Sequence, residues 1–422
     1  MAERYDAVII GAGVIGASTA LDLVQDGHEV IVIERNNAPA QGASHANACL
    51  ISPGHCFSWA EPGAVRAALK ALSTLGEGFG ICDPWRPSLW RWALLFARET
   101  SLHRWRENSL AAVALATLSR DLLFRADHPV PPQRWAGRRN GIHYLHAASR
   151  NPEEDHLLQA SGEPHVHLDR LQTLQQESFL APTSIAFEQS TFCPADATGD
   201  AARFTVEALE VAVALGAAVH YGTAVVGFEL VQGRVGAVRT SSALFSVDAV
   251  VVAAGLQSRE LFRLLGHNIP IYPATGYSMT YRGVDVLPSS SGVSLLHKVA
   301  WAPLDDSTLR LTGFADVGSP TADVVARRFE ALEGFARHLH PQLIGRQGTR
   351  WVGQRPMTPD GLPFLGTSAV TNVHANCGHG AMGWTLSAAS ARTITRLVRG
   401  QPADIDLVPY ALDRFGRFGR QK

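Results

Sequence analysis

Three glycines and one acid near the N-terminus are spaced to hold a dinucleotide. Y-D-A-V-I-I, Tyr5 to Ile10, reads as a short buried strand and runs into G-A-G-V-I-G, where Gly11, Gly13 and Gly16 open the helical stretch A-S-T-A-L-D-L-V-Q-D. Gly11 lets the chain turn out of the strand, Gly13 lets the backbone approach a pyrophosphate, and Gly16 lets the helix pack on the sheet. The helix start, with Val14 and Ile15, aims free amides and the positive end of its dipole at phosphate. A second strand, Glu29 to Ile33, ends in Glu34, whose carboxylate can accept hydrogen bonds from both ribose hydroxyls and would repel a 2′-phosphate. This βαβ unit specifies a dinucleotide and leaves both FAD and NAD open.

The remaining residues with chemical potential are scattered along the chain. After Arg35, the small polar segment with Gly42, Ser44, His45 and Asn47 reads as a loop entering a short helix, where free amides and small side chains admit a flat ring. His45 has three readings: a packed or surface histidine, a wall of the cofactor or substrate cavity, or a covalent link to a flavin. Near the C-terminus, N-V-H-A-N runs into C-G-H-G-A-M-G-W, so that Gly378, His379, Gly380, Met382 and Gly383 form a second strand, glycine turn and helix start. A simple two-domain NAD enzyme has no need of it, whereas a flavoprotein must also bury an isoalloxazine, which favours FAD. Arg355 lies in W-V-G-Q-R-P-M-T-P-D-G-L-P-F-L-G, read as a turn-laden loop with one arginine in a nearly uncharged setting.

Those residues need a scaffold, and the periodicities supply one. Val225 begins a pair of strands, and V-D-A-V-V-V-A-A-G brings Ala254 and Gly255 to the end of a buried strand at the cofactor crevice. Helices are expected over 64–76, 107–127, 152–160, 169–177 and 322–339, and over the stretch after Asp200, which can cap it. From Ile271 onward, strands follow one another without intervening helices, the pattern of a mixed or antiparallel sheet. The expected fold is α/β: a Rossmann-like FAD-binding domain of the glutathione-reductase-like kind (1–88, 160–270 and 345–422), with a second α+β substrate domain (89–159, a helical insertion, and 271–344).

Composition narrows the function classes. Among 422 residues, 37 Lys and Arg balance 38 Asp and Glu, which gives no reason to expect nucleic acid. Five scattered cysteines without a CxxC, and 17 histidines without ligand spacing, suggest neither a disulfide framework nor a metal site. With no leader-like start and no run of eighteen apolar residues, a cytoplasmic protein is expected, either soluble or peripheral on the inner membrane face. Trp85, Trp90, Trp92, Phe96 and Trp105 interleave with Arg86, Arg91, Arg98, Arg104 and Arg106. That composition fits a membrane or partner surface, or tryptophans packed inward with arginines in solvent.

With these residues in hand, the chain resembles the flavin-dependent D-amino acid dehydrogenases of the small-subunit type, within the wider group of glycine, sarcosine and D-amino acid oxidases (DAO). The matching pieces run in order: G-A-G-V-I-G, A-N-A at Ala46, I-S-P-G at Ile51, W-A-E-P-G at Trp59, T-G-D at Thr198, Y-P-A-T-G-Y-S at Tyr272, R-P-M-T-P-D-G-L-P at Arg355 and G-H-G-A-M-G-W-T at Gly378. The resemblance implies FAD, a small amino acid or imino acid substrate, hydride transfer from its α-carbon to flavin N5, and a respiratory-chain or quinone acceptor at a membrane. A homo- or hetero-oligomer is compatible with it. It also implies that Arg355 pairs with the substrate carboxylate, a role that a planar guanidinium fits; a structural ion pair is the alternative. Tyr272 and Tyr277 would add a hydroxyl or close the pocket, and His45 and His379 would tune the flavin or take the amine proton. His45, Cys49, His55 and Cys56 depart from the dehydrogenase pattern, so a cyclic D-imino acid such as D-proline or D-hydroxyproline stands beside D-alanine-like substrates, and an oxygen-using oxidase beside a dehydrogenase.

Overall fold

The continuous apolar runs Ala7–Ile10 and Val30–Ile33 have no alternation, which suits strands buried on both faces of a parallel sheet. In the computed structural model, which describes residues 3–71 and 78–416, they form the centre of one of two large sheets. The first sheet holds β1 (Glu3–Ile10), β2 (Val30–Ile33), β9 (Ala218–His220), β10 (Val225–Val231), β11 (Arg234–Thr240), β12 (Leu244–Val252), β18 (Phe364–Thr367) and β19 (Val373–Cys377). Its main order is β10-β11-β12-β1-β2-β9, and β19 runs parallel to the C-terminal half of β12. The β1, β2, β12 and β19 strands are mutually parallel along their pairings, so their C-terminal ends open on one side.

The second sheet contains β4 (Phe79–Ile81), β5 (Ile142–His146), β6 (Val166–Asp169), β7 (Gln189–Cys193), β13 (Tyr272–Arg282), β14 (Ser291–Ser294), β15 (Val299–Pro303), β16 (Thr308–Val317) and β17 (Thr349–Met357). Its order is β17-β13-β16-β15-β14-β5-β7-β6; most pairs are antiparallel, with β5 parallel to β14 and β4 parallel to β16, the mixed sheet expected. A short antiparallel pair is made by β3 (Leu50–Ile51) and β8 (Ala197–Thr198).

Several expectations change at the level of strands. β4, β6, β7 and β17 fall in segments expected on the cofactor side, yet all four hydrogen-bond into the second sheet. Conversely, the helical insertion does not sit apart with the second sheet. α1 (Val14–Gln25), α2 (Ala64–Ala71), α3 (Pro87–Glu99) and α4 (Leu102–Leu123) lie in chain order, and α4 packs its Ala112, Val113, Leu115 and Ala116 into the same core as Ala17 and Leu21 of α1. Sheet membership is decided by pairing between distant segments, which local periodicity does not encode. The part of the 64–76 helix beyond Ala71 lies outside the described residues. The segment around Arg355, read as a loop, is strand β17 at the sheet's edge, a position that tolerates its Gly353 and Pro356.

The tryptophan-arginine segment divides. Trp92, Phe96 and Trp105 are buried, whereas Trp85 and Trp90 are 70% and 51% exposed beside Arg86, Arg91 and Arg98. Among the described residues no helix is long and apolar enough to cross a membrane.

Candidate functional site

The open ends of β1, β2 and β12 meet the second sheet around a cavity of about 1460 Å³, above the roughly 300–1,000 Å³ usual for small-molecule pockets. One end is the βαβ turn. A Cβ at Gly16 would lie 1.8 Å from the Gly11 carbonyl oxygen, and one at Gly11, whose φ is +110°, would lie 2.6 Å from the Ala253 oxygen. Only glycines close this turn, and α1 therefore starts against the cavity with Gly13, Val14 and Ile15 in its wall. Glu34 is fixed by the Ala12 amide, which donates to Oε2 at 2.7 Å, and by Asn36, which donates to Oε1 from both backbone and side chain. Arg35, Val225, Ala254 and Gly255 complete this end.

Ser44 brings the following loop onto the helix start, its Oγ accepting from the Val14 amide at 3.0 Å. Asn47 lines the cavity beside it. His45 does not: it is exposed, its ring 5.8 Å from that of Trp351, and the wall passes from Ser44 to Ala46. The turn from Gly42 to His45, closed by the His45 amide donating to the Gly42 carbonyl at 3.0 Å, leaves His45 on the solvent side.

The second glycine turn enters from the C-terminal end of β19. Gly378 and Gly380 have φ of +77° and +56°, and Asn376 Nδ2 donates to Thr19 Oγ1 at 3.0 Å, tying this turn to α1. Gly378, His379, Gly380, Met382 and Gly383 all face the cavity. His379 Nε2 lies 3.0 Å from Ser390 Oγ, and burial pushes its pKa down to about 3, so it is neutral at physiological pH. Two helix starts thus converge with a fixed carboxylate between two sheets, a cradle that fits a dinucleotide with a buried ring system.

Arg355 closes the far end from β17. Its Nη1 donates to the Phe314 carbonyl at 2.8 Å, and its guanidinium lies flat against Gly276, where a Cβ would come within 2.4 Å of Nη2. Phe314 has φ +65°, which turns that carbonyl towards the arginine. Burial lowers the pKa of Arg355, with Asp316 and Tyr277 opposing, and the group stays charged. No carboxylate among the described residues pairs with it, so its second face is free to grip an anion.

The two tyrosines are corrected by the structure. Tyr277 is fully buried on the opposite face of β13 from Gly276, and its hydroxyl donates to Asp316 Oδ2 at 2.7 Å, within the Arg328–Asp316 ion pair. Tyr272 lies four residues before Gly276, about 13 Å along the strand, in the aromatic cluster with Trp92. Strand parity and a bulge between Thr275 and Tyr277 decide which residues face the cavity, and neither was readable from the motif.

Of the other wall residues, Cys49 and His55 were expected as departures that alter the pocket, whereas Ser52, Phe57 and Tyr144 were given no role by the sequence. Ser52, His55 and Tyr144 form one polar stretch; the His55 and Tyr144 ring centroids lie 4.7 Å apart with the planes tilted by 36°, and burial pushes His55 down to about 4, hence neutral. Phe57, Trp59, Trp92 and Phe96 make an aromatic wall. Cys49, at φ +62°, accepts from Arg310 Nη1 at 3.2 Å, and burial pushes its thiol up to about 11. For Ser52 the signal in the sequence was its place within I-S-P-G. Among the described residues, no His, Cys, Asp and Glu group could hold a metal.

Comparison with known proteins agrees with this geometry. The family described as FAD dependent oxidoreductase (DAO) matches residues 6–397. A D-amino acid dehydrogenase of Allorhizobium ampelinum is 34% identical over 418 residues, 97% of this chain and 99% of that relative; that of Agrobacterium fabrum is 34% identical over 96% and 99%. Among solved structures, glycine oxidase from Geobacillus kaustophilus superposes with a TM-score of 0.72 at 22% identity, covering 98% and 99% of the two chains. L-proline dehydrogenase from P. horikoshii gives 0.73 at 16% identity over the whole of both. These two show a shared α/β fold with mixed sheets. The chain belongs to the DAO family of FAD-dependent oxidoreductases.

Proposed function

We propose that the chain oxidises the Cα–N bond of a D-amino acid. The observation that carries this reading is Arg355: a charged guanidinium in the cavity wall, held by a carbonyl and a glycine face, with no carboxylate among the described residues in an ion pair with it. A substrate carboxylate would complete it, and relatives named D-amino acid dehydrogenase over nearly the whole length make that substrate an amino acid. In this reading the first sheet is the Rossmann-like FAD-binding domain of the glutathione-reductase-like kind, and the second carries the substrate. Gly11, Gly13, Gly16 and Glu34 hold the adenosine diphosphate part; Ser44, Asn47 and the Gly378–Gly383 turn hold the ring system. Bound FAD supplies the hydride acceptor at N5.

The protein's own contribution is orientation and electrostatics. Arg355 fixes the carboxylate, the aromatic wall receives an apolar side chain, and the neutral His55 and His379 add no charge beside the reacting carbon. The imine formed would hydrolyse to a keto acid and ammonia. Electrons would pass to a quinone-type acceptor at a membrane surface, a reading supported by exposed Trp85, Trp90 and Leu94 beside Arg86, Arg91 and Arg98; in this reading the protein would be cytoplasmic and peripheral on the inner membrane face.

The test is a screen of D-, L-, N-methyl and cyclic amino acids against the purified flavoprotein without oxygen, following flavin bleaching. D-Amino acids are expected to bleach it, with electrons then recovered by a soluble quinone and little peroxide in air. Bleaching by L- or N-methyl amino acids alone would refute the assignment.

A further inference from the structure

Tyr144 and Asp196 form a polar unit that the reading above leaves unused. Tyr144, on β5, lines the cavity, and its hydroxyl donates to Asp196 Oδ2 at 2.7 Å. Asp196 is fully buried, and its Oδ1 accepts from the Gly54 amide at 2.9 Å. Gly54 has no room for a side chain: a Cβ would meet Asp196 Oδ2 at 2.9 Å and Cys193 Sγ at 2.5 Å. That clash explains the glycine of I-S-P-G, whose serine, Ser52, also lines the cavity and bears on the Tyr144 hydroxyl. Ser52, Tyr144 and Asp196 therefore link the cavity wall to a carboxyl that water does not reach.

We propose that Asp196 is the proton store of the site: through Tyr144 and Ser52 it takes the proton that a substrate ammonium gives up before its α-hydrogen leaves. The inference rests on the amino acid reading given above. In the transfer, an ammonium N–H bond breaks and an O–H bond forms on a chain hydroxyl; that hydroxyl's own proton passes inward to Asp196 Oδ2. No electrons move, and the lone pair left on nitrogen becomes the imine π bond when hydride departs. Asp196 acts through its neighbours and is a positioning residue.

The surroundings leave Asp196 as the group that titrates near neutrality. Burial raises it to about 7, with the Gly54 amide and the Tyr144 hydroxyl opposing. The thiols of Cys193, in the same turn as Asp196, and Cys56, two residues after Gly54, are pushed up by burial and stay protonated. Tyr144 is raised and His55 lowered, so both stay neutral, and Glu163 behind the site is paired with Arg120 at 2.6 Å.

Two measurements test this. In the holoenzyme alone, the infrared C=O stretch of a buried protonated carboxyl should vanish as pH rises through about 7 and be missing in Asp196→Asn; its absence from the unsubstituted protein would overturn the proposal whatever the substrate. With D-alanine and no oxygen, flavin reduction should show a step near pH 7 that Asp196→Asn and Tyr144→Phe lose. Both variants should fall about 100-fold at pH 7 and recover near pH 10, where the amine is already neutral in solution. A step unchanged in both variants, or a deficit equal at pH 7 and 10, would refute it. Failure of every amino acid to bleach the flavin would instead refute the functional reading, and the infrared titration would still decide on Asp196.

Discussion

A guanidinium in a cavity wall loses hydration that a carboxylate can restore, and Arg355 has only a carbonyl in that place. Its geometry offers two parallel N–H groups, a feature that lysine lacks. Arg355→Lys should weaken substrate binding by about 1.5–3 kcal/mol, ten- to hundredfold, and Arg355→Ala by more, with bound FAD unchanged. Flavin absorbance per protein and the substrate Kd, measured together, check both halves. His379, by contrast, is neutral and held by Ser390. Its replacement by Asn is expected to leave the acid limb of the pH profile in place.

At the scale of elements, the motifs that were legible are those with a local steric cause. The first glycine turn is one: Gly16 cannot accept a Cβ at 1.8 Å from the Gly11 oxygen, so Gly16→Ala should yield protein largely without FAD, read from the ratio of flavin to protein absorbance. The second turn was legible for the same reason, because its glycines require positive φ. Arg355 stood out as the solitary arginine of its segment, but its strand did not, since Gly353 and Pro356 give turn signals that an edge strand tolerates. The tyrosines were misplaced because a bulge and strand parity, set by β16 and β17, turn Tyr277 away and present Gly276. Tyr144 and Asp196 meet through β5, the turn after β7 and the I-S-P-G turn, a tertiary coincidence that no local pattern announces. Gly276→Ala tests the β13–β17 arrangement directly: its Cβ would displace the Arg355 guanidinium, raising KM while FAD binding and thermal stability stay near those of the parent.

For the whole molecule, the sheets bury titratable groups in a way that makes stability depend on pH. Burial lowers His55, His143, His146 and His374 to about 4 and His379 to about 3, from 6.5. The unfolded chain therefore binds protons first, so their contribution is complete above about pH 6.5 and is lost as pH falls towards 4. Asp196, raised to about 7, works the opposite way, as do Asp22, Glu61 and Glu154, which burial also raises; His128, His167 and His340 are lowered by burial and add to the histidine side. The Tm should drop between pH 7 and 5; a Tm that rises over this range would contradict the assigned burial. The exposed Trp85 and Trp90 beside arginines predict salt-sensitive sedimentation with anionic but not neutral vesicles, reduced in Trp85→Ser/Trp90→Ser. The central claim, a cavity that orients an amino acid by its carboxylate for hydride loss, is tested most directly by mixing the holoenzyme with D-alanine or L-alanine without oxygen and following the flavin absorbance. Rapid bleaching by the D enantiomer, lost at least tenfold in affinity in Arg355→Lys, is the predicted result; no bleaching by D-alanine or any other D-amino acid, or bleaching indifferent to Arg355, would contradict it.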